Sequence, residues 1–350
     1  AERPLPTFSV LVASYNQAEY VLDTLDTVAG QTCTDYELVI VDDGSTDDTA
    51  AKVSSWIEGF RRTHPNRVQL VTIENSGQSA AFEHGFGMCR GRYVALLDSD
   101  DRWLADKLER VTEAVRDDPE AGMLIHPLYV IDADGRRTGD IRPLRAKLSD
   151  GDIRQQVRET SRHVAPATSG VVIRADVFGQ LVPMPTRRFR TAADLYLTLG
   201  AALIAPVRAV QEPLAEYRMH PNGQHIRTML SPEGVRYWVE LQSTIARHLG
   251  LEGAVERNSY FVRHVFALAK LDGSIPQQIR AFAQLARATC LDTTFEIPEK
   301  LLFLLYWTAC LFTPRAAFRR LWRAFQMKQT GFDKLQRQTV LAVNTLPGSI

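Results

Sequence analysis

The chain has 350 residues, 45% hydrophobic and 23% charged. Those proportions are ordinary for a globular protein and exclude collagen, coiled coil and wholesale disorder. Lys plus Arg number 41 and Asp plus Glu number 41, so the whole chain carries no nucleic-acid signature. At roughly 100–200 residues per domain, two units are expected. The pattern assigns an α/β unit to 1–230 and a helical region to 231–350.

The charge is uneven. Residues 231–350 hold 15 basic and 9 acidic side chains, which leaves 1–230 mildly acidic. Between Arg315 and Arg337 seven basic residues stand against Asp333 alone. Cys33, Cys89, Cys290 and Cys310 form no C-x-x-C pair, so neither zinc nor a redox dithiol is indicated. Lone cysteines fit a reducing cytosol. The first residues lack the apolar core of a secretory signal. The longest strongly apolar run, residues 301–312, is too short to cross a bilayer as a helix. The expected location is cytoplasmic.

In chain order, residues 8–13 are a short apolar, β-rich run, as in a strand buried on both faces of a parallel sheet. Val21, Leu22, Leu25 and Val28 recur at helical spacing. Strands at 37–41, 68–73, 93–97 and 122–126 alternate with helices at 46–60, 79–88 and 106–116. That alternation predicts right-handed βαβ units with ligands outside the carboxyl ends of the strands. Polar clusters fall at those ends: Ser14-Tyr15-Asn16, Asp42-Asp43, Asn75-Ser76-Gly77 and Asp98 to Asp101. A hairpin is expected at Asp134-Gly135, a strand at 169–173, a helix at 193–203 and an edge strand at 214–219. From Ser231 the pattern is helical, at 232–249, 254–271, 275–289, 297–312 and 314–328. Proline lies near four of those starts, where it fits.

Asp98 and Asp100, one residue apart where a strand turns, can converge on a hard divalent cation, which takes oxygen ligands and bridges to phosphates. Asp101 could instead cap the following turn. Asp43 could accept hydrogen bonds from a base or ribose, or cap the helix after it. Neither motif decides alone.

Together, V-x-V-A-S-Y-N (10–16), V-D-D-G-S-T-D (41–47), N-x-G-x-x-x-A-x-x-x-G (75–85) and L-L-D-S-D-D (96–101) resemble family 2 glycosyltransferases, inverting enzymes of the GT-A fold. The resemblance covers residues 7 to about 220. It implies a Rossmann-like, mainly parallel sheet with flanking helices, followed by a C-terminal helical region. It implies that Ala13 and Tyr15 line a nucleotide pocket, that Asp43 holds the base or ribose, and that Asn75 and Gly77 lie near the nucleotide. Asp98 and Asp100 would handle the ribose and a Mg²⁺ or Mn²⁺ on the diphosphate, with Asp101 as a substitute ligand. His84 stands where family members often have Asn. Thr168-Ser169-Gly170 resembles the small-residue turn near the donor sugar. Ala193-Asp194-Leu195 resembles the E-D-x-x-L segment, so Asp194 would be the catalytic base and Ala193 replaces a Glu. Tyr217-Arg218-Met219-His220 resembles Y-R-x-H, so Arg218 would help neutralise the diphosphate and His220 would add a metal ligand.

Trp103 reads as core or as a sugar platform, and Arg187, Arg188 and Arg190 as a solvated loop or an anionic-acceptor contact. The implied partners are a nucleotide-sugar donor, UDP by default, and a saccharide or lipid-linked saccharide acceptor of envelope polysaccharide synthesis. The stretch from Leu301 to Phe325, with arginines between aromatics, reads either as an interfacial helix on anionic lipid at the inner face of a membrane or as a helix packed on protein. Two further readings are a nucleotidyltransferase, opposed by Ser14-Tyr15-Asn16 in place of a Gly-rich loop, and a degenerate binding module, opposed by the retained aspartates.

Overall fold

The computed structural model describes residues 5–64, 67–143, 147–186, 190–220, 232–292 and 296–330. Contacts divide the chain into two units, Ala1–Val157 with His163–Arg218, and Arg158–Arg162 with Met219–Ile350.

The first unit is built on seven strands. Strands β1 (Phe8–Ser14), β2 (Tyr36–Asp42), β3 (Val68–Thr72), β4 (Tyr93–Asp98), β6 (Met123–Ile125), β9 (Val171–Arg174) and β10 (Val207–Ala209) lie in the order β10-β6-β9-β4-β1-β2-β3. All pairings are parallel except those of β9, which runs antiparallel between β4 and β6. Every residue of β2 is buried, as its unbroken apolar stretch requires when helices cover both faces. On one face, Val10, Val12, Leu38 and Ile40 share a core with Val21 and Leu25 of α1 (Val21–Ala29) and Val53, Ile57 and Phe60 of α2 (Thr49–Thr63). On the other lies α3 (Gln78–Phe86), at such close range that a Cβ on Gly85 would stand 2.3 Å from Leu11 Cδ1 and 2.9 Å from Val41 Cγ2. The last glycine of the third motif is therefore a packing residue.

A second sheet holds β5 (Arg102–Trp103), β11 (Ala215–Arg218), β7 (Leu128–Ile131) and β8 (Arg137–Arg142) in that order. β7 and β8 form the expected hairpin, with Gly135 at φ +82°. The strand expected as an edge, β11, is paired on both sides, antiparallel to β5 and parallel to β7. It thus carries the chain back beneath the loop that follows β4. Four further helices complete the series: α4 (Lys107–Asp117), α5 (Arg154–Thr160), α6 (Ala175–Gly179) and α7 (Ala193–Ile204).

The second unit is helical: α8 (Pro232–His248), α9 (Glu252–Val255), α10 (Ser259–Asp272), α11 (Ile275–Leu291), α12 (Ile297–Phe312) and α13 (Arg315–Thr330). The single helix expected over 254–271 is broken, because the Asn258 side chain accepts from the amides of Tyr260 and Phe261 at 3.0 and 3.1 Å. That is an N-cap and starts a new helix. The core of this unit is aromatic, with Phe266, Trp307, Phe318 and Trp322 all buried. Of the two readings of this stretch, burial of Phe318 and Trp322 fits packing on protein for the aromatic side of α13. Its aromatic side faces inward, and its described exposed side is led by Arg315, Arg319, Arg320 and Arg323.

Candidate active site

The strand ends meet as a chain of hydrogen bonds. At the end of β2 the Asp43 carboxylate accepts the amides of Ser76 and Gly77 at 2.7 and 2.8 Å, one on each oxygen. The Asn75 side-chain amide donates to the Asp43 carbonyl at 3.0 Å. Gly77 has φ +94°, and a Cβ there would lie 2.4 Å from the Arg190 carbonyl oxygen. Arg190 in turn donates to the Asn75 carbonyl at 2.9 Å and to the Asn75 side chain. The segment leading into α7 is thereby laid on the β3–α3 loop.

Gln78, which sequence reading did not single out, makes the next link. Its Nε2 donates to Asp98 Oδ1 at 2.8 Å, and its Oε1 accepts the Ala193 amide at 3.4 Å. It therefore ties the D-x-D loop to the first turn of the helix that bears Asp194. Its only trace in the sequence is its place as a variable position inside the N-x-G motif.

Asp98, Asp100 and Asp194 are all half-buried, whereas Ser99 and Asp101 are buried. Burial, then the charges of Asp100 and Asp194, push the Asp98 carboxyl up to about 7, against hydrogen bonds from Thr168 and Gln78. Burial also lifts Asp194, opposed by the Leu195 amide, which donates to Asp194 Oδ1 at 2.9 Å. Asp98, at the rim of the sheet, is thus a carboxyl whose ionisation is opposed by burial and by two neighbouring carboxylates.

Asp101 is turned away from this cluster. One of its oxygens accepts from Ser169 Oγ at 2.7 Å and the other from the Arg218 amide at 2.8 Å. It is an internal clamp rather than a substitute ligand. Arg218 likewise departs from the expected diphosphate contact. Its side chain is 2% exposed, and it donates to the Asp100 carbonyl at 2.7 Å, the Ala133 carbonyl at 3.0 Å and Asp23 at 2.5 Å. All three guanidinium nitrogens are engaged, Nε on the loop after β4. Ser169 and Gly170 are also fully internal, and a Cβ on Gly170 would stand 2.5 Å from the His126 carbonyl oxygen.

Ala13 is in register with Asp98 on one side and Val41 on the other, and Tyr15, 38% exposed, stands just beyond the end of β1. His84 is exposed on α3, where it lines a surface depression with Ala80, Glu83, Gly87, Met88 and Thr186, apart from the hydrogen bonds around Asp98. Trp103 is buried, which makes it core rather than a sugar platform. His220 is buried in the second unit. Arg187, Arg188 and the side chain of Phe325 fall outside the described residues. Among the described residues no group of three or more His, Cys, Asp or Glu side chains is arranged to hold a metal ion.

A Rossmann-like sheet with a D-x-D at the end of its fourth strand and a further Asp on a facing helix is the architecture of GT-A nucleotide-sugar transferases. Residues 9–180 match the family model for glycosyl transferase family 2. An uncharacterized glycosyltransferase of Nostoc sp. is 32% identical over 219 residues, 62% of this chain and 66% of its own length. Succinoglycan biosynthesis protein ExoO of Rhizobium meliloti is 28% identical over 268 residues, 72% of each chain. S. aureus TarS 1–349 in complex with UDP has a TM-score of 0.55 at 18% identity, over 93% of this chain and 92% of that one. Mannosyltransferase PcManGT from Pyrobaculum calidifontis, in complex with GDP-Man and Mn²⁺, has a TM-score of 0.51 at 19% identity, over 93% and 86%. The chain belongs to glycosyl transferase family 2 and is a glycosyltransferase of the GT-A fold.

Proposed function

We propose that the chain transfers a sugar, with inversion at the anomeric carbon, from a nucleoside-diphosphate sugar to a hydroxyl of a saccharide or lipid-linked saccharide acceptor. The observation that carries this reading is the meeting of Asp194 with Asp98 and Asp100 at the carboxyl edge of the sheet. UDP is the proposed nucleotide, as in the TarS complex, and similarity to a succinoglycan biosynthesis protein supports a polysaccharide product.

Tyr15, Asp43 and the Asn75-to-Gly77 loop frame the nucleoside end. Asp98 and Asp100 would hold a Mg²⁺ or Mn²⁺. The donor set fits, because hard carboxylate oxygens that repel one another gain most from a divalent cation. A bound cation would neutralise charge growing on the departing diphosphate. Asp194 has one oxygen on the Leu195 amide and the other free for the acceptor hydroxyl. It takes that proton as the hydroxyl oxygen bonds to the anomeric carbon and the carbon–diphosphate bond breaks. One base and one in-line displacement give inversion. The retained Asp43, Asp98, Asp100 and Asp194 weigh against a degenerate binding module, and Ser14-Tyr15-Asn16 against a nucleotidyltransferase.

The direct test is nucleotide release from UDP-sugars with Mn²⁺. Release is expected, and no release from any UDP- or GDP-sugar would overturn the reading. A pH dependence follows as well. Asp98 with its carboxyl at about 7 is protonated below that pH, and a cation needs the carboxylate. Apparent Mn²⁺ affinity in the presence of UDP should fall by roughly tenfold between pH 7.5 and 6. Isothermal titration at the two pH values checks it, and equal affinities would contradict it.

The acceptor side points to a membrane surface, with the protein at its cytoplasmic face. On α12, Ile297, Leu302 and Phe312 are 75%, 71% and 81% exposed, and Leu301 and Leu305 are exposed beside them. From Lys300 to Thr330 the sequence contains no acid, while α13 exposes four arginines. Exposed apolar side chains and arginines, with no acid between Lys300 and Thr330, suit anionic lipid. Among the described residues no helix is long and apolar enough to cross a membrane. The full chain is expected to float with vesicles containing phosphatidylglycerol and not with phosphatidylcholine alone. Substituting Leu302→Glu and Leu305→Glu should release it, and flotation unchanged by those substitutions would contradict this contact.

A further inference from the structure

Lys107 is the first residue of α4, and it is completely buried. A buried ammonium at the positive end of a helix is costly twice over, through lost hydration and through the helix dipole. Burial pushes its pKa well down, with Asp101 opposing. The mechanism above makes no use of it. Its surroundings show what it does hold. Nζ donates to the Ser169 carbonyl at 2.7 Å and lies 3.5 Å from the centre of the Trp103 ring. Trp103 Nε1 donates to the same carbonyl at 3.2 Å. The Ser169 hydroxyl accepts the Asp98 amide at 3.1 Å and donates to Asp101 at 2.7 Å. Asp101 then accepts from the Arg218 amide, and the Arg218 side chain donates to the Asp100 carbonyl.

We infer that Lys107 is a positioning residue: acting through Ser169, it holds the D-x-D loop so that the Asp98 and Asp100 carboxylates stay together in the absence of a cation. Two mutually repelling carboxylates splay apart unless the backbone beneath them is fixed. Here Ser169 helps fix that backbone, its carbonyl pinned from α4 and its hydroxyl bridging the Asp98 amide and the Asp101 carboxylate. Lys107 thus reaches this serine from α4, through its carbonyl. The binding part of this inference rests on the transfer reading, whereas the loop-ordering part does not.

The test uses Lys107→Met, which keeps the length and apolar stem; replacing a buried charge with an apolar residue is often neutral for stability. In the ligand-free protein, hydrogen exchange of the segments covering Asp98 and Arg218 should speed up at least tenfold, with the rest of the chain unchanged. Titration with UDP and Mn²⁺ should show about tenfold weaker binding, while uridine without Mn²⁺ binds as in the wild type. Ser169→Ala should reproduce both effects and decides the matter alone if Lys107→Met fails to fold. Unchanged exchange at Asp98, or uridine and Mn²⁺-UDP affinities lost in equal measure, would overturn the inference. Should the wild type bind no UDP, the transfer reading fails, and the exchange measurement still tests Lys107.

Discussion

Asp194→Asn should lower kcat by about 10²- to 10⁴-fold, the usual worth of a positioned general base, and leave Mn²⁺-dependent UDP binding within about twofold. The side chain sits in the first turn of α7, where the Leu195 amide holds one oxygen at 2.9 Å. Asn keeps that size and that acceptor, so the fold of the turn is preserved. What it loses is the basic oxygen. Burial raises the Asp194 pKa, which makes its carboxylate a better proton acceptor than an exposed aspartate. On the proposed reading UDP would meet the chain at Asp43 and the D-x-D loop, so its affinity should hardly change. Steady-state rates of sugar transfer and isothermal titration of UDP with Mn²⁺, on the same preparation, separate the two effects. Equal loss of binding and turnover would remove Asp194 from the base role and leave it as a positioning contact.

The second large effect is expected at Gly77, beside Gln78 on the loop that bonds Asp43. Valine there must adopt φ +94°, and its Cβ would meet the Arg190 carbonyl at 2.4 Å. The left-handed region alone costs an L-residue roughly 1–2 kcal/mol, more for a β-branched one. Relief comes by moving the loop away from the 190–193 segment. That breaks the Asp43 bonds to Ser76 and Gly77 and moves Gln78 off the Ala193 amide. Asp194 would then stand about 1 Å out of place relative to Asp98, which suffices for roughly a hundredfold loss in kcat/KM. Gly77→Val is therefore expected to lower kcat/KM about a hundredfold, with a modest fall in Tm. A variant with native kcat/KM would show that the coupling between loop and helix does not matter.

Much of this site was legible because strand ends are. Unbroken apolar stretches at β1, β2 and β4, each followed by polar residues, announce a doubly covered parallel sheet and the edge at which it binds. Which member of a polar cluster faces the ligand was harder to read. Of Asp98, Ser99, Asp100 and Asp101, the first and third are half-buried and the second and fourth buried. The chain turns here, with the Asp101 amide donating to the Asp98 carbonyl at 3.2 Å, so strand periodicity does not separate the D-x-D pair from the Asp101 clamp.

Other features depend on partners distant in sequence, which spacing does not reveal. Arg218 turns inward because Asp23 and the Asp100 carbonyl receive it. Ser169 is internal because Lys107 and Trp103 reach its carbonyl. The antiparallel β9 enters between β4 and β6 after an excursion through the second sheet, and helix–strand alternation carries no sign of that reversal. The aromatics of α13 fit lipid and protein equally by composition, and only the packing of Trp307 and Trp322, ring centres 6.3 Å apart, assigns them to the core.

Thermal shift of the full chain with nucleotide sugars, with and without Mn²⁺, tests the central claim most directly. Binding to the folded state alone raises Tm, by about 2.7 kcal/mol of added stability at a hundred times the dissociation constant. The account predicts a rise when a nucleoside-diphosphate sugar and Mn²⁺ are present together, and its loss in Asp100→Ala. A rise that is the same without Mn²⁺, or that survives Asp100→Ala, would contradict it.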